Sequence, residues 1–146
     1  EELEARGAGT LGRIAKIETR RAVANLPEII VHGAGRAPFG LMIARGDLAV
    51  EIGWSRLAEV QEEILWLAEA AHVPVVWATQ VFEQLIKENL PSRAEMTDAA
   101  MSERAECVML NKGPFVLDAI AMLDDIARRM RDHQHKKSAR LRALHW

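Results

Sequence analysis

Four short apolar runs recur along the chain, and each ends in a polar corner. Arg13-Ile14-Ala15-Lys16-Ile17-Glu18 alternates with the two-residue period of a strand, which puts Lys16 and Glu18 on one face. Leu41-Met42-Ile43-Ala44 is apolar without alternation, as suits a strand covered on both faces, and turns abruptly into Arg45-Gly46-Asp47. Pro74 precedes a third run, Val75-Val76-Trp77-Ala78, which exits into Thr79-Gln80. The fourth, Cys107-Val108-Met109-Leu110, exits into Asn111-Lys112-Gly113-Pro114.

Between the runs the pattern becomes helical. Residues 19–25 and 26–31 suit one or two short helices, with Pro27 tolerated in a first turn, and residues 32–40 form a loop rich in Gly and Pro. Ser55 is the expected N-cap of a helix running to about Ala71. Its stripe of Leu57, Val60, Ile64, Leu67, Ala68 and Ala71 should pack on a sheet, with Glu59, Glu62, Glu63 and Glu69 largely outside that stripe. Residues 81–87 read as a helix, and Ser92-x-x-Glu95 is a capping box opening another over residues 93–104. A long amphipathic helix follows over residues 115–130. At the other end, residues 1–6 read as the tail of a helix begun upstream and stopped by Gly7-Ala8-Gly9.

Strands starting near residues 13, 41, 75 and 107, with helices between, give a period of roughly 30 residues, which implies βαβ units and right-handed crossovers. The expected fold is α/β: parallel (βα) units forming the C-terminal half of a TIM (β/α)8 barrel, with a small open doubly wound sheet as the alternative. The chain is expected to be one domain over residues 1–146 with a basic tail from about 131 to 146. A half-barrel has two open edges and an uncovered inner face, here carrying Ile43, Val76 and Val108, so a homo-oligomer is expected, two copies completing eight strands.

Composition narrows the reading. With 146 residues, 49% of them apolar and 27% charged, the chain can bury a core and is not a disordered segment. A net charge of −2 argues against a nucleic-acid binder, although residues 131–142 gather five cations against Asp132. No run approaches the roughly 20 apolar residues of a membrane helix, so no membrane partner is expected. The single cysteine, Cys107, excludes an internal disulfide and makes a reducing cytoplasm the default. Cys107, Trp66 and Trp77 are expected to pack in the core, and His133, His135 and His145 to be solvated in the tail.

The chemistry should sit at the carboxyl ends of the strands, where a rigid sheet aims polar loops. Arg45, Gly46 and Asp47 offer a cation, a backbone able to approach a ligand closely, and a carboxylate suited to a hard metal ion. If residues 48–52 coil into a short helix, its N–H groups would favour an anion beside Asp47. Lys16 and Glu18 form a second charged pair at a strand end.

Lys16-Ile17-Glu18-Thr19, the run from Ala44 through Arg45-Gly46-Asp47-Leu48 to Ile52, Ala78-Thr79-Gln80, and Pro91-Ser92-Arg93-Ala94-Glu95-Met96-Thr97-Asp98 follow in order, ahead of Cys107-Val108-Met109-Leu110. In these stretches the chain resembles the second half of the catalytic barrel of pyruvate kinase. The resemblance implies a magnesium ion (Mg2+) held by Glu18 and Asp47, with Lys16 steadying the phosphoryl group in flight. It implies substrate contacts from Arg45, Gly46, Asp47 and Thr79, the backbone of Gly46 and Asp47 receiving the carboxylate and Thr79 acting in enolate protonation. The implied reaction takes phosphoenolpyruvate and ADP to pyruvate and ATP in glycolysis. Potassium ligands would belong to a parent protein, and this chain alone is expected to be inactive. Three departures stand out: Asn111-Lys112-Gly113-Pro114 occupies the place of the family's Ser-Gly-Glu-Thr, Ala49 that of a glycine, and the loop over residues 32–40 is longer than expected. Two other readings remain: a metal-dependent 2-oxo-acid aldolase or lyase of related barrels, and a non-catalytic half-barrel that serves as an assembly module.

Overall fold

A computed structural model describes the backbone of residues 5–134 and the side chains of residues 5–131. Most of the basic tail, with His135, His145 and the side chain of His133, lies outside the described residues, as does most of the expected N-terminal helix tail. The elements are β1 (Arg13–Ile17), α1 (Arg20–Ala24), α2 (Leu26–Ala34), β2 (Phe39–Ala44), α3 (Arg45–Ile52), α4 (Trp54–Ala70), β3 (Val75–Val81), α5 (Glu83–Glu88), α6 (Arg93–Ser102), β4 (Cys107–Leu110) and α7 (Val116–Gln134). The strands form one parallel sheet in the order β1-β2-β3-β4, as the βαβ period requires. By internal contacts the chain divides into two compact units, one ending at Val76 and the other beginning at Trp77.

In the first unit, β1 pairs with β2 from Arg13↔Phe39 to Ile17↔Ile43. Ile17, Leu41 and Ile43 are buried while Ile14 is exposed, so the helices cover the face that carries Ile43. Ile43 therefore does not belong to the uncovered face expected for it; the alternation puts Ile14, Lys16 and Met42 there instead. α2 runs three residues further than expected, to Ala34, and β2 begins at Phe39, because the two seat against each other. A Cβ at Gly33 would come within 2.4 Å of the Phe39 ring, so only glycine fits there without displacing that ring.

α4 starts directly at Trp54, after Gly53 turns the chain at φ 93°, so Ser55 lies inside the helix and is not its N-cap. The left-handed turn lets the helix begin at once, which leaves Ser55 no capping position. α4 packs against α2, α3 and β2, a wider cover than one stripe requires. Its buried set is Val60, Glu63, Ile64, Leu65 and Ala68. Glu63 is thus drawn into the core, and Ala71 falls beyond the helix and is exposed.

The second unit holds the rest of β3, then α5, α6, β4 and α7. The Ser92/Glu95 capping box is present with both of its hydrogen bonds. The same Glu95 carboxylate accepts the backbone N–H of Gln84 at 2.6 Å, so one acid serves the starts of α5 and α6 together. Trp77 is fully buried, as expected, and Trp66 is half-buried. Cys107, expected in the core, is exposed: it opens β4, the last strand in the sheet order, where side chains are covered on fewer sides.

Candidate active site at the strand ends

β1 ends at Ile17, and Glu18 and Thr19 lead straight into α1. Thr19 is extended at φ −128° and its hydroxyl accepts the N–H of Ala22, capping the helix and fixing where Glu18 leaves the strand. On the neighbouring strand no loop intervenes. β2 ends at Ala44 and α3 begins at Arg45, so the helix expected from residue 48 starts three residues earlier and Asp47 lies in its first turn. A carboxylate there is favoured by the helix dipole. Ala44 gives this helix no side-chain cap, and the first-turn amide dipoles point out of its end at Arg45, Gly46 and Asp47, the arrangement that favours an anion. Ala49 is buried inside α3, where helical φ suits alanine.

These two strand ends bring Lys16, Glu18 and Asp47 together. Lys16 Nζ lies 2.5 Å from Glu18 Oε2 and 3.7 Å from Asp47 Oδ2, so one ammonium spans both acids. The hydrogen bond and charge of Glu18 hold the Lys16 ammonium above its usual pKa, and Asp47 adds to this despite some desolvation. All three side chains are open to solvent. The cluster is therefore reachable by a ligand, and its present ion pairs contribute little to stability. Among the described residues no group of three or more His, Cys, Asp or Glu is placed to hold a metal. Two acids within reach of one cation fit magnesium, which takes one or two carboxylates and leaves its other positions to water and substrate.

Thr79 and Gln80 lie in the second unit, near the end of β3. Thr79 has φ 69°, Gln80 59° and Phe82 53°, left-handed values that a β-branched residue such as threonine rarely adopts. Strained backbone of this kind persists where the surrounding structure over-determines it, and it gathers at functional sites. The β4 exit loop is fixed by close packing on α5. A Cβ at Gly113 would lie 2.3 Å from Ile86 Cγ2 and 2.9 Å from the Ile86 carbonyl oxygen, and the Phe115 N–H donates to that carbonyl at 3.2 Å. The loop is packed onto the end of α5 in a way that no side chain at position 113 could share.

Arg20 and Glu51, which the sequence does not mark as a pair, bond across the same rim. The backbone N–H of Arg20 donates to Glu51 Oε2 at 3.3 Å and the guanidinium to the Glu51 carbonyl at 3.1 Å. Nothing in the local pattern of either residue announces a partner 31 positions away.

Residues 3–115 match the family model of the pyruvate kinase barrel domain. The chain is 39% identical to a pyruvate kinase of Thermotoga maritima over 121 residues, covering 79% of this chain and 25% of that protein. It is 37% identical to the plastidial pyruvate kinase 3 of Arabidopsis thaliana over 122 residues, covering 80% of this chain and 20% of that protein. Among solved structures, a pyruvate kinase of Cryptosporidium parvum superposes with a TM-score of 0.73 at 36% identity, covering 80% of this chain and 24% of the other. The chain thus spans about a quarter of the length of the relatives it matches. Among the described residues no helix is long and apolar enough to cross a membrane.

Proposed function

Because the chain belongs to the pyruvate kinase family, we propose that it is the metal- and phosphoryl-handling half of the catalytic barrel of an enzyme that transfers phosphate from phosphoenolpyruvate to a nucleoside diphosphate, releasing pyruvate. The observation that supports this most is the Lys16 ammonium spanning the Glu18 and Asp47 carboxylates. Those two acids would hold magnesium, whose chemistry when bound is to neutralise negative charge on the substrate oxygens. Lys16 presents its positive charge to the phosphoryl group as that group moves, a point charge set in place before the reaction. The amide ends of α3 at Gly46 and Asp47 receive the substrate carboxylate, and the Arg45 cation favours the same anion. Thr79, whose hydroxyl is too weak an acid to act unaided, orients the water or relay that protonates C3 of the enolate. The potassium ligands and part of the nucleotide site would belong to parts of a barrel outside these four βα units, so the isolated chain should not turn over.

A coupled assay tests the reading. A longer protein that contains this chain and completes the barrel should form pyruvate only when phosphoenolpyruvate, a nucleoside diphosphate and a divalent cation are all present. The isolated chain should form none. Pyruvate released without nucleotide, or cleavage of a 2-oxo acid, would move the assignment to the aldolase and lyase side of the barrel superfamily.

Assembly follows from the open edges. β1 and β4 end the strand order, and exposed Leu11 and Ile14 lie at β1, so unpaired backbone and apolar surface coincide. The chain should self-associate, and sedimentation at micromolar concentration should show species larger than 16.3 kDa. A single monomeric boundary would oppose this.

A further inference from the structure

We infer that Arg20 and Glu51 are positioning residues that set the spacing of the Glu18 and Asp47 carboxylates; the inference rests on the reading that those two acids share one cation. The β1–β2 ladder stops at Ile17↔Ile43, so neither acid is held by strand pairing. Beyond that point the rim is tied by Arg20 and Glu51. Arg20 Nη2 donates to the Glu51 carbonyl at 3.1 Å, and the Arg20 backbone N–H donates to Glu51 Oε2 at 3.3 Å.

The tie is reciprocal, and both backbone groups in it are helix-end groups. Arg20 is the first residue of α1, so its N–H has no acceptor within its own helix. The Glu51 carbonyl lies in the last turn of α3, where a guanidinium also meets the negative end of the helix dipole. Each side chain therefore completes the backbone of the other's helix. Glu51 follows Asp47 by one turn on the same face of α3, and Arg20 follows Glu18 by two residues. Consecutive Cα atoms are about 3.8 Å apart, so pinning residue 20 leaves Glu18 a short tether. Neither residue needs to touch the cation.

Simple electrostatics and positioning predict opposite signs for Arg20, which makes the inference testable. Removing a cation near the site should tighten binding of a divalent ion if charge alone matters. If Arg20 positions the acids, its loss should weaken binding. The probe is Mn2+, titrated into the whole chain and followed by the electron paramagnetic resonance signal of the free ion. Arg20→Ala and Glu51→Ala should each weaken binding by about 10-fold, the low end of effects from groups that orient metal ligands. The double variant should be weaker than either single, because Arg20→Ala keeps the backbone N–H donation to the Glu51 carboxylate and Glu51→Ala keeps the guanidinium donation to the residue 51 carbonyl, whereas the double variant loses both. Glu51→Gln keeps an oxygen acceptor and should bind like the parent chain, and circular dichroism should show the fold unchanged in every variant.

Equal or tighter binding by Arg20→Ala, in a chain whose Mn2+ binding is abolished by Glu18→Gln with Asp47→Asn, overturns the positioning role alone. Loss of fold in Arg20→Ala together with normal binding by Glu51→Ala also overturns it. No Mn2+ binding by the parent chain, or binding indifferent to Glu18 and Asp47, overturns the shared-cation reading and with it the purpose assigned to the tie.

Discussion

Glu18→Gln combined with Asp47→Asn should all but abolish divalent-cation binding by this chain, lowering affinity by at least about 100-fold. Groups that merely orient metal ligands are each worth about 10–100-fold, so removing the two anionic ligands should do no less. Each single substitution should fall between the parent and the double variant, because a magnesium or manganese ion keeps water in the positions a missing carboxylate leaves. Calorimetric titration with Mg2+, or Mn2+ resonance, measures it directly. The fold should not respond. Both side chains are exposed, 36% for Glu18 and 66% for Asp47, and surface substitutions of this kind usually change stability by no more than about 0.5 kcal/mol. Unchanged binding in the double variant would remove the basis for phosphoryl transfer at these strand ends.

Trp77→Ala should cost about 3–5 kcal/mol, the range for truncating a large buried aromatic. Trp77 is fully buried on β3, and its indole N–H donates to Asp98 Oδ1 on α6 at 3.3 Å. Alanine would remove the packing and leave Asp98 without that donor. Trp77→Phe separates the contributions, since it keeps most of the ring volume and gives up the hydrogen bond, worth about 1 kcal/mol. Urea unfolding followed by circular dichroism reads both variants. A domain of this size is stable by only about 5–15 kcal/mol, so the alanine variant should lose a large share of its stability. A loss below about 1 kcal/mol would show that Trp77 does not anchor the core around it.

Local signals carried the sequence a long way. The four apolar runs appear as β1 to β4, and the Ser92/Glu95 box is formed because its partners lie three residues apart and need no tertiary structure to meet. Lys16 and Glu18 were readable as a pair for the same reason. Ser55 failed as a cap because the Gly53 turn, set by a single φ, left no interval for it. Glu63 and Cys107 exchanged their expected environments: one was drawn inside by helices packing on several sides of α4, and the other was left open on the last strand of the sheet.

By itself, then, the sequence determined the βα order, the helix that Ser92 and Glu95 start, and the charged residues that stand at the strand ends. Tertiary structure decided which face of β2 is covered, since the run Leu41-Met42-Ile43-Ala44 has no alternation from which to read it. It also decided that Lys16 reaches Asp47 as well as Glu18, and that Arg20 ties to Glu51. These contacts join residues 31 positions apart. They form only when parallel strands are set side by side, which no pattern within one strand or helix can encode.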